Sequence, residues 1–485
     1  MKRFMVMAFL LLPVMLLAGS TFSKTFGGSD ADGSYSAVQC KNQDFILVGL
    51  TKSYGGAMRD GYLVRISESG DSIWAKNYDF GQDETFRGSV LLGDSALLVV
   101  GFSRPDGGTP TDLLVAKIRT NGDVVWHKTY GGDGTDYGWD IHALPDGNFV
   151  VSGTTDSYGN GGEDVWALKI NQNGDTLWTA TFGGEGNEQG RGIAVDDSGN
   201  IYISAKSRIS GSSPDMYMIK LNEKGEAVWL KTFSSFGWTE GYDACYDGKE
   251  AVFAGYGFWG GEYSHDMLWI KMDAKGDTIR TGHVGGSDND YTFGVNATDD
   301  GGLIMVGKSK SFGSYWQGLI SKIDAKGNLQ WQSAFGGDNE DYFWKVYQTD
   351  DHGYLAVGCS NSTTDGSTDV FVVKTDSAGA LTSIEDREKP VAQDFRLRQN
   401  YPNPFNPATT IPVDMKKAGR VRIDIYNAAG AKVATLGSQK LNRGHGYFKW
   451  NGKNFQGQEL PSGVYIYRLS VDGKFYGSRK MILLR

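Results

Sequence analysis

The chain has 485 residues, is rich in glycine with 68 glycines, and carries a net charge of −9. A net negative charge disfavours a nucleic-acid partner, because the phosphate backbone attracts basic surfaces. The cysteines Cys40, Cys245 and Cys359 are odd in number and far apart, which argues against a disulfide framework and a zinc site. We expect them to be buried free thiols.

Residues 1–20 have the pattern of a secretory signal peptide. Lys2 and Arg3 precede the apolar run Phe4–Leu17, and small residues follow up to Ser20. A membrane anchor is the alternative, but an apolar run of about 14 residues is too short to span a bilayer. We therefore expect cleavage near Ser20 and no transmembrane span in the mature protein.

From residue 21 to residue 381 the sequence repeats. A phrase of the form Gly-x-x-x-Trp recurs at intervals of 51 or 52 residues, and Arg280 replaces one of its tryptophans. The other tryptophans are Trp74, Trp126, Trp178, Trp229 and Trp331. Each repeat contains four short runs rich in β-branched and aromatic residues, separated by Gly, Asn and Asp turns, which indicates strands. Four antiparallel strands in a unit of this length are typical of a propeller blade.

The repeats number seven. A basic residue recurs once in each, near the end of the third run: Arg65, Lys117, Lys169, Lys220, Lys271, Lys322 and Lys374. The seventh repeat lacks its fourth run, whereas Phe22–Gly28 matches this run at the other end of the chain. We therefore predict an all-β fold with a seven-bladed propeller of four-stranded blades over 21–381. In this ring Thr21–Phe26 pairs with the third strand of the last blade.

Two resemblances accompany the repeats. The stretch Gly183–Ser204 resembles the repeats of secreted bacterial seven-bladed propellers, which implies a secreted ring. The Gly-x-x-x-Trp phrase resembles the docking motif of quinoprotein propellers. Those enzymes usually have eight blades, and this chain has no signature for their cofactor, so the second resemblance implies architecture only.

A charged segment without periodicity, residues 382–394, is the predicted linker to a second domain at 395–485. This tail contains 16 Lys and Arg residues against 4 Asp and Glu residues, whereas the whole chain has a net charge of −9. Its runs of β-forming residues predict a small β-sandwich. The predicted strands are Thr410–Asp414, Val421–Tyr426, Lys432–Leu436, Tyr447–Trp450 and Val464–Val471.

The tail also resembles the C-terminal sorting domain of type IX secretion. The resemblance rests on a Pro/Asn-rich motif near its start, on Gly463 in the run Ser462–Tyr467, and on Lys480 in the final six residues. The motif residues are Tyr401, Pro402, Asn403, Pro404, Phe405, Asn406 and Pro407. This resemblance implies export through the outer membrane by that machinery, with attachment to the cell surface or release. An ordinary C-terminal sandwich unrelated to export is the alternative.

An acidic residue recurs just before the first strand of nearly every blade. The set is Asp32, Glu84, Asp136, Glu188, Asp290 and Asp341, and the fifth blade has Thr239 with Glu240 beside it. Repetition in nearly every blade favours a structural role in which each carboxylate accepts backbone N–H bonds and fixes its turn. The alternative is an acidic ring that binds calcium, with Asp30 and Asp32 as candidate ligands. We expect no other metal and no cofactor.

Three residues further on, every blade has an aromatic residue or an arginine. The set is Tyr35, Arg87, Trp139, Arg191, Tyr242, Phe293 and Trp344. At the start of the inner strand these side chains would face either the central funnel or the seam between blades. Aromatic rings stack on sugars or peptide side chains and arginine supplies planar donors, so the funnel alternative predicts a ligand-binding site. Packing between blades is the other alternative.

The sequence contains no motif of a catalytic serine, a zinc protease or a phosphate-binding loop. We therefore predict a secreted or surface-displayed monomer that binds a glycan or a protein and has no catalytic residues. Its other partner is the type IX secretion machinery. A secreted glycan-degrading enzyme with its site in the funnel is one alternative, and a purely structural surface protein is another.

Overall fold

In a computed structural model, the described residues are 20–381 and 395–485, without 56–57, 106–109, 209–213, 235–237, 260–263, 363–366, 399, 404, 416, 428–431 and 473. Residues 1–19 of the predicted signal peptide and the predicted linker 382–394 lie outside this set. The chain divides into two compact units, Met1–Arg387 and Glu388–Arg485. Within the described residues, no helix is long and apolar enough to cross a membrane.

The first unit is a ring of seven four-stranded antiparallel sheets, which confirms the predicted number of blades. Blade 1 consists of β2 (Asp32–Gln39), β3 (Phe45–Thr51), β4 (Asp60–Ile66) and β5 (Ser72–Tyr78). Blade 2 consists of β6 (Asp83–Leu92), β7 (Ala96–Arg104), β8 (Asp112–Arg119) and β9 (Val124–Tyr130). Blade 3 consists of β10 (Asp136–Ala143), β11 (Phe149–Thr155), β12 (Asp164–Ile170) and β13 (Thr176–Phe182). Blade 4 consists of β14 (Glu188–Val195), β15 (Ile201–Ser207), β16 (Asp215–Leu221) and β17 (Ala227–Phe233). Blade 5 consists of β18 (Thr239–Tyr246), β19 (Ala251–Phe258), β20 (His265–Met272) and β21 (Thr278–Val284). Blade 6 consists of β22 (Asp290–Ala297), β23 (Leu303–Ser309), β24 (Gln317–Ile323) and β25 (Leu329–Phe335). Blade 7 consists of β26 (Asp341–Gln348), β27 (Tyr354–Ser360), β28 (Asp369–Thr375) and the N-terminal strand β1 (Phe22–Phe26).

Strand β1 closes the ring. It pairs antiparallel with β28, so that Phe22 lies opposite Lys374 and Phe26 lies opposite Val370. The predicted closure is therefore confirmed, and the ring has no unpaired end blade. The first strands of neighbouring blades contact one another in cyclic order, from β2 through β26 and back to β2, and they form the innermost layer around the axis.

The core of the propeller lies between neighbouring blades. Strands β3 and β12 are buried at every position, whereas the fourth strand β13 has exposed positions. Ile46 of blade 1 packs in one cluster with Leu97 and Val99 of blade 2. The three cysteines are buried free thiols, as the sequence predicts. The ring is thus stabilised by a series of similar interfaces between neighbours.

The repeated Gly-x-x-x-Trp phrase joins each blade to the next. Gly174 has a positive φ of 77°, and a Cβ there would lie 2.8 Å from the indole of Trp126 in the preceding blade. Gly225 and Trp178 repeat this contact one blade further on, also at 2.8 Å. The turn needs glycine both for its left-handed backbone and for the tryptophan that packs against it.

The second unit is a β-sandwich. One sheet contains β29 (Phe395–Leu397), β30 (Thr409–Met415) and β33 (Gly444–Trp450). The other contains β31 (Gly419–Asn427), β32 (Lys432–Leu441), β34 (Gly463–Val471) and β35 (Lys474–Leu483) in the order β32-β31-β34-β35. Their facing apolar side chains form a single core that includes Trp450 and Tyr467. All five strands predicted for this region are present, in slightly longer form.

Candidate binding funnel

A β-bulge directs one side chain of each first strand toward the axis of the ring. The register between β10 and β11 passes from Gly138 directly to Asp140, so Trp139 has no partner in the second strand. The same irregularity occurs at Tyr35 in β2 and at Trp344 in β26. Because a bulged residue leaves the normal alternation of the strand, its side chain is turned away from the blade faces.

Glycines of the second strands make room for these bulges. A Cβ on Gly49 would lie 1.8 Å from the carbonyl oxygen of Gly33, and one on Gly307 would lie 1.7 Å from that of Tyr291. The recurrent glycine of the second strand is therefore required by the close approach of the first strand. In blade 4, where Ala205 takes the place of this glycine, the register shift is longer and skips both Arg191 and Gly192.

The structure brings all seven predicted funnel residues together around one cavity on the axis. We call this set, Tyr35, Arg87, Trp139, Arg191, Tyr242, Phe293 and Trp344, the funnel ring. Every member is half-buried, which matches a cavity lining better than a sealed seam between blades. Ligand binding by these residues stays a prediction.

Each member of the funnel ring contacts its two neighbours, so the ring is closed. The Arg87 guanidinium lies 4.1 Å from the ring centroid of Tyr35 and 4.8 Å from that of Trp139. Arg191 lies 3.9 Å from Trp139 and 5.1 Å from Tyr242. Ring-to-ring contacts complete the circle: Tyr242–Phe293 at 5.1 Å, Phe293–Trp344 at 4.8 Å and Trp344–Tyr35 at 5.6 Å.

The two arginines of the funnel ring have no carboxylate partner among the described residues. The Nε atoms of Arg87 and Arg191 are buried without a hydrogen-bond partner among the described residues, while Nη2 of Arg191 donates to Oε1 of Gln189 at 2.9 Å. Burial lowers the pKa of Arg191. Cation–π contacts hold both guanidinium groups in place, but they do not supply the hydrogen bonds that such groups form when buried.

The floor of the funnel is a charged cluster that crosses the ring. Nζ of Lys345 in blade 7 lies 2.7 Å from a carboxylate oxygen of Asp140 in blade 3 and 2.7 Å from one of Asp243 in blade 5. Burial raises the pKa of Asp243, against the opposing effect of Lys345. The two carboxylates raise the pKa of Lys345 although burial opposes this. The cluster ties three non-adjacent blades together and separates the funnel from a second cavity deeper in the channel.

Sequence reasoning missed this floor. In blades 3, 5 and 7 the residue directly after the funnel-ring residue is charged: Asp140, Asp243 and Lys345. In blades 2, 4 and 6 the same position is glycine: Gly88, Gly192 and Gly294. Charges of opposite sign at the same position of different repeats could have indicated an ion pair across the axis. Only the closed ring shows that blades 3, 5 and 7 bring these charges together.

The walls above the funnel ring differ from one side to the other. On the side of blades 1 to 3, Arg59 and Arg104 line the wall. Asp83 pairs with both: its two oxygens lie 2.6 Å from Nε and Nη2 of Arg59, and it also contacts Arg104. We call this pair of arginines the arginine wall.

On the side of blades 5 to 7, further aromatic rings contact the funnel ring: Tyr256, Tyr291 and Tyr342, with Trp316 beside Tyr291. Tyr256 lies 4.4 Å from Tyr291 between ring centroids, and Tyr291 lies 5.1 Å from Trp316. Tyr342 contacts Trp344 of the funnel ring edge-on at 5.7 Å. We call these four residues the aromatic wall.

The recurrent carboxylates lie outside the funnel and hold the turns, as the structural interpretation predicts. Asp136 is fully buried; its Oδ2 accepts the N–H of Gly132 at 3.0 Å and the hydroxyl of Ser157 at 2.6 Å. Glu188 accepts the N–H of Gly184 at 2.7 Å in the same way. These bonds occupy the turn-facing oxygens of the carboxylates.

The proposed calcium ligands Asp30 and Asp32 also take part in their loop. Asp30 is exposed, and its Oδ1 accepts the N–H of Ala31 at 2.8 Å. Asp32 is buried and accepts from the N–H of Gly28 at 2.7 Å and from the hydroxyl of Ser53 at 2.7 Å. Both residues therefore contribute to the geometry of the first turn.

The predicted sorting motif packs against the last strand of the sandwich. Phe405 is buried in the core, and its N–H donates to the carbonyl of Ile482 at 2.9 Å. Oδ1 of Asn403 accepts the N–H of the same Ile482 at 2.8 Å. Tyr401 is exposed, and Gly463 and Lys480 lie in β34 and β35. The bends contain Pro402, Asn406 and Pro407, while Pro404 lies outside the described residues.

Comparisons with known proteins agree with this architecture. A family model described as a beta-propeller repeat matches residues 177–209, and one described as the FlgD Ig-like domain matches residues 406–474. The protein is therefore a seven-bladed β-propeller followed by an Ig-like β domain. No curated protein matches the chain in sequence.

Three solved structures illustrate the likeness. Sqt1 from Chaetomium thermophilum is 12% identical over 70% of this chain and 83% of its own, with a TM-score of 0.42. The WD40 domain of Pan2 from Neurospora crassa is 9% identical over 72% and 89%, with a TM-score of 0.44. An α-L-arabinanase from Penicillium chrysogenum complexed with arabinobiose is 12% identical over 73% and 98%, with a TM-score of 0.42. Identities this low concern the fold alone.

Proposed function

We propose that this protein binds an acidic glycan at the funnel of its propeller. The observation that carries the proposal is the closed ring of seven side chains around the axis, in which two guanidinium groups have no carboxylate partner among the described residues. A half-buried guanidinium without a counter-charge is stabilised by an anion with two oxygens that can accept two parallel hydrogen bonds. The carboxylate of a uronic acid or the sulfate ester of a sugar has this chemistry.

The aromatic members of the funnel ring favour a sugar over a simple anion. Trp139, Phe293 and Trp344 present apolar rings to the same cavity that Arg87 and Arg191 line. Aromatic faces stack on the apolar faces of sugar rings, while the arginines orient the charged substituent. The ligand is therefore expected to place its acid near Arg87 and Arg191 and its sugar faces toward the aromatic wall.

The test is a glycan array probed with the purified protein, followed by titration calorimetry. We expect oligosaccharides of uronic acids to bind and their neutral, carboxyl-reduced counterparts to bind about 10–100-fold more weakly. Arg87→Gln and Arg191→Gln should reduce binding to the level of the neutral sugar. Arg119→Gln, which changes an exposed arginine at the end of β8, is the matched control. Binding of an acidic protein but no glycan would contradict the proposal in favour of a protein ligand.

We also propose that the chain is secreted, by means of its signal peptide and a type IX sorting domain at residues 395–485. Two features support the proposal: the motif residues that pack against the last strand, and the 16 Lys and Arg residues against 4 Asp and Glu residues in this region. A basic tail is suited to a transient contact with anionic machinery or lipopolysaccharide.

Removal of Arg398–Arg485 should leave a folded propeller that stays in the periplasm. The measurement is cell fractionation of the native protein and the truncated variant in a bacterium that has this secretion system. The melting temperature of the propeller should be the same in both, because the chain divides into two compact units. Delivery of the truncated variant to the surface would contradict the sorting role.

A further inference from the structure

At several blade junctions, two carboxylates face each other across a glycine. One belongs to the start of a third strand and the other to the start of the next first strand. A Cβ on Gly131 would lie 2.3 Å from an oxygen of Asp112 and 2.6 Å from one of Asp136. A Cβ on Gly183 would lie 1.9 Å from an oxygen of Asp164. The glycine therefore leaves room for the pair.

The junction between blades 1 and 2 departs from this arrangement. Here the pair is Asp60 and Glu84, and the position of the glycine is occupied by Asp79. Oxygen atoms of the three carboxylates lie within 4.8 Å of one another. At the junction before blade 5 this position is serine, and at the remaining junctions it is glycine. The replacement by Asp79 therefore adds a third negative charge only at the junction between blades 1 and 2.

The charge of this cluster has no counter-charge among the described residues. Asp60 is 2% exposed and Glu84 is fully buried. Asp60 accepts a hydrogen bond from Nδ2 of Asn77 at 2.7 Å, and Glu84 accepts one from Ser103 at 3.3 Å on Oε1. Oε2 of Glu84 is buried without a hydrogen-bond partner. Burial, together with a smaller contribution from the charge of Asp79, raises the pKa of Glu84 to about 7.

We infer that Asp60, Asp79 and Glu84 bind a calcium ion. Calcium takes six to eight oxygen ligands in flexible geometry, including carboxylates in one- or two-oxygen contact and water. The buried Asp60 and Glu84 form the closed side of such a site, and the exposed Asp79 leaves the other side open to water. The ion supplies the counter-charge that the three carboxylates lack among the described residues. This site differs from the loop of Asp30 and Asp32.

The test is calcium titration of the full protein after treatment with a chelator, followed by calorimetry and thermal denaturation. We expect one calcium ion bound by this cluster and a rise in melting temperature of about 2–4 °C at about 1 mM calcium. Magnesium should have a smaller effect, because it requires stricter geometry. No rise with calcium, or an equal rise with magnesium, would overturn the inference.

Two variants locate the site. Asp79→Gly restores the residue found at this position in most other blades, so it should fold normally and lose the calcium-dependent rise. Glu188→Gln changes the equivalent of Glu84 in blade 4, where Gly183 stands in place of a third carboxylate, and it should keep the rise. An undiminished calcium effect in Asp79→Gly would contradict the assignment.

Discussion

The turn carboxylates and the funnel ring lie three residues apart in the same first strands, yet the structure uses them differently. The carboxylate of Asp136 is fully buried and accepts hydrogen bonds from its own turn. Trp139, three residues on, is half-buried and faces a cavity on the axis. The first layer has a carboxylate in six of the seven blades, with Thr239 in the fifth, whereas the second layer contains two arginines and five aromatic residues.

The difference shows how to separate structure from function in a repeat protein. A residue that every blade needs for its turn must have the same chemistry in each blade, because the turn is the same. A position directed at the axis is free to vary, because the blades share one cavity and each contributes a different part of it. Variation within a column of repeats therefore indicates a site, and uniformity indicates a fold requirement.

The largest effect is expected at the floor beneath the funnel ring. Lys345→Met removes the cation that Asp140 and Asp243 share and leaves two buried carboxylates without their counter-charge. The free energy of unfolding should fall by about 3–5 kcal/mol, measured by urea denaturation at neutral pH. An unchanged stability would show that the floor cluster does not tie the blades together.

The turn carboxylates should affect stability and not binding. Asp136→Ala leaves the N–H of Gly132 and the hydroxyl of Ser157 without their acceptor. We expect a loss of about 2–3 kcal/mol in the free energy of unfolding, because bonds to a charged acceptor are lost in a buried place. Glycan affinity, measured on the folded fraction, should be unchanged. A large loss of affinity would place this layer in the site.

The funnel ring should show the opposite pattern. Trp139→Ala and Trp344→Ala should weaken ligand binding by about 1–3 kcal/mol, the usual cost of losing an aromatic anchor. Stability should fall by less than about 1 kcal/mol, since both side chains are half-buried and leave no closed cavity. Calorimetry and thermal denaturation of the same samples measure both quantities. Losses of about 3–5 kcal/mol in stability would indicate packing between blades instead.

Much of this account can be predicted from the sequence, because the repeat compares seven copies of each position. The period identifies the blades, and the missing fourth run of the last repeat identifies β1 as its replacement. The column of Tyr35, Arg87 and Trp139 could be assigned to the start of the inner strand from spacing alone. What spacing could not supply is the bulge at each of these residues, which determines that their side chains meet on the axis.

The floor and the acidic cluster depend on distances that local patterns do not contain. Lys345 meets Asp140 across the closed ring, more than two hundred positions apart in sequence. Glu84 of blade 2 meets Asp60 of blade 1 because two blades pack against each other. The first contact follows from the closure of the ring, and the second follows from the packing of neighbouring blades. They are visible in the sequence only as departures from the consensus of the repeat, namely a charge where other blades have glycine.

A smaller effect is expected from Glu84, one of the turn carboxylates, on the pH dependence of stability. Burial raises the pKa of Glu84 from 4.5 to about 7. A raised folded-state pKa of an acid means that the native state binds more protons, so stability falls as pH rises from about 4.5 to 7. Without divalent ions, we expect Glu84→Gln to remove about 1–3 kcal/mol of this fall, measured by urea denaturation across pH. The same fall in the variant as in the native protein would contradict the role of Glu84.

The most direct test of the central claim is one paired measurement on Arg87→Gln and Asp136→Ala. Both variants are titrated with a uronic-acid oligosaccharide identified on the array and melted under the same conditions. The account predicts that Arg87→Gln loses affinity and keeps its melting temperature, whereas Asp136→Ala keeps its affinity and loses melting temperature. If Arg87→Gln binds as well as the native protein, or if both variants lose only stability, the funnel ring is a packing layer and the proposed binding site is wrong.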